Sequence, residues 1–199
     1  MSLNINEEDL LVRMQYTPNP MALKFVANQA FKENGKATFS SASEAEAWPL
    51  LRDLFTVPGV KQVHVFQNTI TVTHDGQLNE DQLCEQVTAV IRTRYAAHDP
   101  SFMTDEESSG GAFKPSQGRA TREDPALEQM EEILDRTIRP GLQADGGDIE
   151  LVKLEQDDLY IMYQGACGGC PSAMMGTLDA IQGILRHELD NPQLSVIPL

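Results

Sequence analysis

Three cysteines in 199 residues are too few for a disulfide framework, and aromatic side chains make up only 6% of the chain. No apolar run approaches the roughly 18 residues a membrane-spanning helix needs. The opening stretch MSLNINEEDLLVRMQY has acids where a secretory signal places lysines, and no apolar core with a small-residue cleavage site. Neither secretion nor bilayer insertion is expected, and the chain reads as cytoplasmic. Basic residues are also scarce. Fifteen Lys and Arg against thirty Asp and Glu leave a net charge of −15, the wrong sign for a nucleic-acid or anionic-membrane binder.

What the chain does contain is unevenly spread. Residues 97–122, AHDPSFMTDEESSGGAFKPSQGRATR, are rich in Gly, Ser, Pro and charge, with only isolated apolar residues. Such a segment cannot bury enough surface to offset its ordering entropy, so it reads as a flexible linker between two domains, 1–96 and 123–199. The net charge is −3 over residues 1–96, −1 over 97–122 and −11 over 123–199, so the acidity belongs mainly to the C-terminal part. Gly110, Gly111 and Lys114 lack the G-K-[ST] element of a phosphate loop.

Each domain reads as a small α+β fold. In the first, Val12, Met14 and Tyr16 alternate with polar residues as in a half-buried strand, and Thr17-Pro18-Asn19-Pro20 must turn. Leu23 and Phe25 begin a second strand. Ser43 and Glu46 have capping-box spacing ahead of Trp48, Leu51 and Phe55, with Pro49 either starting or kinking that helix. Val63 and Val65 face Ile70 and Val72 across a turn at Gln67-Asn68, and Leu83, Val87, Val90 and Ile91 mark a final helix. The order is β-β-α-β-β-α. In the second domain, Asp124 and Pro125 open a helix with a Leu127, Met130, Leu134, Ile138 stripe that Pro140-Gly141 ends. Two strands, Ile149–Leu154 and Leu159–Tyr163, follow, the second apolar enough to lie central in its sheet. A helix bearing Met174, Leu178, Ile181, Leu185 and Leu189, then a short strand, complete α-β-β-α-β.

Between the second strand and that helix lies Gly165-Ala166-Cys167-Gly168-Gly169-Cys170-Pro171. The two central glycines let the chain fold back and aim both sulfurs one way. Pro171 suits a first helical turn, so the helix dipole is expected to favour thiolate, the form that ligates metal. Three chemistries compete. A thioredoxin-like dithiol oxidoreductase needs further strands after the motif helix, and no basic residue lies between Lys153 and Arg186. A zinc-binding interaction module needs four ligands, and besides the two cysteines only His187 is on offer, in an Arg-His-Glu cluster that reads as solvent-facing. An iron–sulfur cluster commonly takes four cysteines; two chains giving two each would complete one four-iron four-sulfur cluster across a dimer axis. Spacing does not decide between iron and zinc.

Leu142–Val152 (LQADGGDIELV) and Gly165–Leu178 (GACGGCPSAMMGTL) resemble the NifU C-terminal-type domain of Nfu-type iron–sulfur scaffold and carrier proteins. Tyr16–Phe25 (YTPNPMALKF), Pro49–Phe55 (PLLRDLF) and Val57–Val65 (VPGVKQVHV) resemble that family's N-terminal domain. The resemblance implies that Cys167 and Cys170 bind an iron–sulfur cluster bridged between protomers and delivered to apo-proteins. Met174-Met175 depart from the small polar residues frequent in relatives, leaving both ligands intact. The reading is therefore a carrier and not an enzyme. The expected partners are a second copy, forming a homodimer when cluster-bound, together with apo iron–sulfur clients and upstream assembly proteins.

Other residues read as structural. Asp145-Gly146-Gly147-Asp148 has too few carboxylates for calcium and reads as a tight turn entering a strand, and its resemblance to the family motif implies that it packs near the cysteine loop. Cys84 lies in register with Val87 and Ile91 as a small buried hydrophobe. His64, His74 and His98 adjoin no catalytic group in sequence, and Glu128, Glu131, Glu132 and Asp135 read as a solvated helix face.

Overall fold

The structure is a computed structural model describing residues 10–104, 125–167 and 171–199, without the side chains of 171–175. It divides into two compact α+β units, Met1–Phe102 and Met103–Leu199. Among the described residues no helix is long and apolar enough to cross a membrane.

In the first unit, strands β1 (Val12–Tyr16), β2 (Ala22–Ala27), β3 (Lys36–Phe39), β4 (Val60–Phe66) and β5 (Thr69–His74) form one antiparallel sheet in the order β1-β2-β5-β4-β3. The expected hairpin pairs Val63 with Val72 and Val65 with Ile70, and Gln67 takes the left-handed turn conformation at φ 49°. Helices α1 (Pro49–Leu54) and α2 (Glu80–Tyr95) contribute Leu50, Leu51, Leu54, Leu83, Val87 and Ile91 to a core that also holds Phe25 and Phe31.

Two local expectations are corrected. Strand β3 was not foreseen: it is four residues long, with only Ala37 and Phe39 buried, too short for alternation to register. Ser43 and Glu46 cap no helix. Proline has no N–H and its ring clashes with the carbonyl four residues back, so the helix cannot run through Pro49; it begins there.

The first unit also runs on past residue 96. His98 Nε2 lies 2.6 Å from the Phe31 carbonyl, Lys32 Nζ donates to the Phe102 carbonyl at 2.9 Å, and Phe102 is buried. These anchors tie residues 97–102, counted in the linker by composition, to the first core. The rest of the linker, residues 105–122, and the expected cap Asp124 lie outside the described residues.

The second unit comprises α3 (Pro125–Thr137), α4 (Arg139–Ala144), β6 (Gly147–Glu155), β7 (Asp158–Gly165), α5 (Pro171–Glu188) and β8 (Ser195–Pro198). Its sheet runs β6-β7-β8, with β6/β7 antiparallel and β7/β8 parallel, so β7 is central as its composition indicates. Pro140 does not close the helical stretch. It sits in the first turn of the separate helix α4, where a missing N–H has no partner to lose. Leu134, Ile149, Ile161, Ile181 and Leu185 are wholly buried between helices and sheet, each burial contributing about 1.5–3 kcal/mol. A parallel β7/β8 pair demands a crossover, and α5 supplies it. Cys167 lies at the entry to that crossover, just past the end of the sheet's central strand.

Candidate metal centre

Strand β7 ends at Gly165, and Cys167 follows in the turn that leads to Pro171. The turn is fastened from the facing strand: Ala166 N donates to the Gly146 carbonyl at 3.0 Å, and Gly147 pairs with Gly165. Cys167 N donates to the Gln164 carbonyl at 3.3 Å. Gly147 backs directly onto the cysteine. A Cβ at that position would stand 2.7 Å from Cys167 N and 3.1 Å from its Cβ, and nearer still to its Sγ. Only glycine lets the β6 backbone come this close. The Asp145–Asp148 turn therefore packs on the cysteine loop.

Cys167 is a free, half-buried thiol. Burial pushes its pKa up to about 12, helped by the carboxylates of Asp148 and Asp145. This corrects the expectation that the helix dipole favours thiolate here. Cys167 precedes the first residue of α5 by four positions, outside the dipole's short reach, and its nearest charges are negative. Beside it, burial and the neighbouring Cys167 push the Tyr163 hydroxyl up to about 12 as well. Cys170, with Gly168 and Gly169, lies outside the described residues.

Asp148 is fully buried, and both its oxygens are committed. Oδ1 accepts from Arg139 Nε at 3.0 Å and from Ile149 N at 2.7 Å, and Oδ2 accepts from Gln143 Nε2 at 3.1 Å. Arg139 also donates to the Ile149 carbonyl at 3.1 Å and pairs with Glu131 at 2.6 Å and with Asp135. Burial pulls the Arg139 pKa down, but Glu131 and Asp148 more than offset it, so the guanidinium is held above its ordinary value. Sequence reading missed Arg139. Its signal was there: an arginine just before a proline, with acids four and eight residues earlier on the same helical face.

The remaining candidates are dispersed. The His187 side chain is 86% exposed. Cys84 is half-buried against the first core, less enclosed than its register suggests. His64 Nδ1 meets Thr38 Oγ1 at 2.8 Å, and His74 Nδ1 accepts from Gly76 N at 3.2 Å. No group of three or more His, Cys, Asp or Glu side chains converges as a metal site among the described residues.

The described residues thus place a half-buried thiol between a strand end and the following helix, in one of two small α+β units. Comparison with known proteins makes it specific. The profile "Scaffold protein Nfu/NifU N terminal" matches residues 12–98, and the "NifU-like domain" profile matches residues 130–196. The human "NFU1 iron-sulfur cluster scaffold homolog, mitochondrial" is 32% identical over 178 residues, covering 89% of this chain and 67% of that protein. "NifU-like protein 5, mitochondrial" of Arabidopsis thaliana is 31% identical over 182 residues, and the chain spans 64% of its length. A solution structure of a NifU-like protein from Saccharomyces cerevisiae aligns with 49% of this chain and 87% of its own at 16% identity, with a TM-score of 0.43. The chain belongs to the Nfu/NifU family of scaffold proteins.

The same names overturn the cytoplasmic expectation, since the human and plant relatives are both called mitochondrial. A cysteine count too low for a disulfide framework does not separate cytosol from the interior of an organelle.

Proposed function

We propose that the chain is an iron–sulfur cluster scaffold and carrier in which Cys167 and Cys170 are the cluster ligands. A second copy supplies the other two thiolates of a four-iron four-sulfur cargo. The observation that carries this reading is the close approach of Gly147 to Cys167, which holds one thiol in a defined place at the mouth of the crossover. Thiolates are the soft donors that iron–sulfur clusters take, and two per chain is half of the usual set. Asp148 is no competing ligand, because Arg139, Gln143 and the Ile149 amide occupy its oxygens.

A cargo shared by two chains is released when they part, which suits receipt from an upstream assembly protein and delivery to apo-proteins. The chain's own part is to present the sulfurs and hold the loop; no catalytic step is assigned to it.

Anaerobic reconstitution with iron and sulfide, followed by metal and sulfide counts and Mössbauer spectroscopy, tests the reading. About four irons and four sulfides per dimer are expected. Cys167→Ala and Cys170→Ala should each abolish retention. A monomeric holo-protein with a complete cluster would overturn the bridged arrangement. Zinc in place of iron in freshly isolated protein, or turnover in an insulin-reduction assay without retained iron, would replace the carrier reading altogether.

A further inference from the structure

The first unit holds a cleft of about 430 Å³ lined by Arg52 and Asp53 of α1 and by Ala89, Val90, Thr93 and Arg94 of α2. Asp53 sits between the two arginines. Its Oδ1 accepts from Arg52 Nε at 2.9 Å and Nη2 at 2.8 Å, and its Oδ2 pairs with Arg94 Nε at 2.6 Å. The carboxylate side chain is only 13% exposed, whereas Arg52 is 41% and Arg94 50% exposed. One tucked-in anion thus orients two outward cations and leaves the cleft with a surplus positive charge.

We propose that this cleft docks an acidic peptide segment of a partner protein. The chain as a whole carries −15, so a local surplus of positive charge such as this one is where an acidic segment finds complementary charge. Asp53 holds both guanidinium groups before any partner arrives, which reduces the ordering cost of binding. A compact anion reaching deep between the arginines would meet Asp53. An extended peptide sets its carboxylates against the outer guanidinium edges and lays an apolar side chain on Ala89 and Val90. This goes beyond the cluster-carrier reading and does not depend on either cysteine.

The test titrates the 199-residue chain with a fluorescein-labelled peptide of alternating glutamate and leucine, followed by anisotropy at low and near-physiological salt. Saturable, salt-weakened binding is expected, and the peptide should move the amide resonances of Ala89, Val90, Thr93 and Arg94. Arg94→Glu should weaken binding about tenfold, and Arg52→Gln more mildly. Arg92→Glu changes the net charge equally but lies outside the cleft, and should leave binding within about twofold. Circular dichroism and Trp48 emission confirm that each variant is folded. Lack of saturable binding, an equal loss in Arg92→Glu, or displacement by inorganic phosphate at the peptide's own concentrations would overturn the proposal. Iron and sulfide counts are unaffected by these variants, so this idea and the carrier reading fail separately.

Discussion

Arg139 Nε donates to Asp148 Oδ1 across 3.0 Å inside the second unit, joining the first turn of α4 to the first turn-facing residues of β6. Asp148 has no solvent exposure, and the Arg139 side chain only 11%. Since Gly147 is the residue before Asp148, this ion pair fixes the strand end on which Cys167 rests.

Arg139→Leu should therefore destabilise the second unit by about 3–5 kcal/mol, because it strands Asp148 as an uncompensated buried charge. Adding Asp148→Asn should recover part of that loss. Native-state hydrogen exchange reads it directly: the Ile149 amide, donating to Asp148 Oδ1 at 2.7 Å, should lose protection in the single variant.

Gly147→Ala places a methyl within 3.1 Å of the Cys167 Cβ and 2.7 Å of its nitrogen, so the cysteine turn must move. Iron retained after anaerobic reconstitution should fall severalfold while far-ultraviolet circular dichroism stays close to that of the parent. Undiminished retention would show that this close approach is unimportant for loading.

The first unit should weaken as the pH falls below about 6.5. Burial lowers the pKa of His98 below that of the unfolded chain, more than its contacts with the Phe31 carbonyl and Asp99 raise it, and burial likewise lowers His74. Between the folded and unfolded values the unfolded state binds more protons, so stability rises with pH and is lost on acidification. Urea melts followed by Trp48 emission report this unit, because the indole packs 5.1 Å from Phe102. His98→Gln keeps a donor for the Phe31 carbonyl and should flatten the pH dependence.

Helix α2 opens with a complete capping box: Asn79 Oδ1 accepts from Gln82 N at 2.9 Å, and Asn79 N donates to Gln82 Oε1 at 3.3 Å. Asn79→Ala should cost the first unit about 1 kcal/mol in the same melts. Asn79→Ser should cost much less.

Much of the fold is legible in periodicity. The alternation of Val63, Val65, Ile70 and Val72, and the 3.6-residue spacing of Leu83, Val87 and Ile91, specify which faces are buried before any packing is known. Strand β3 and helix α4 escaped because each is too short to repeat a pattern, and both exist through neighbours: β3 through its pairing with β4, α4 through Arg139 reaching Asp148. The segment after α2 read as linker because its apolar residues are isolated along the chain. They are not isolated in space, where Lys32, Phe31 and Trp48 receive His98 and Phe102.

The residues of the candidate site, Cys167-Gly-Gly-Cys170 and the facing Asp145-Gly-Gly-Asp148, stand out in the chain itself through their paired glycines. Their encounter was decided by the fold. Antiparallel pairing of β6 with β7 sets Gly147 opposite Gly165, and that register alone brings the glycine turn onto Cys167. The proton affinity of the free thiol depends on the fold too. A sequence shows a helix start a few residues after Cys167, but the burial and the nearness of Asp148 and Asp145 that push its pKa up exist only once the strands have closed.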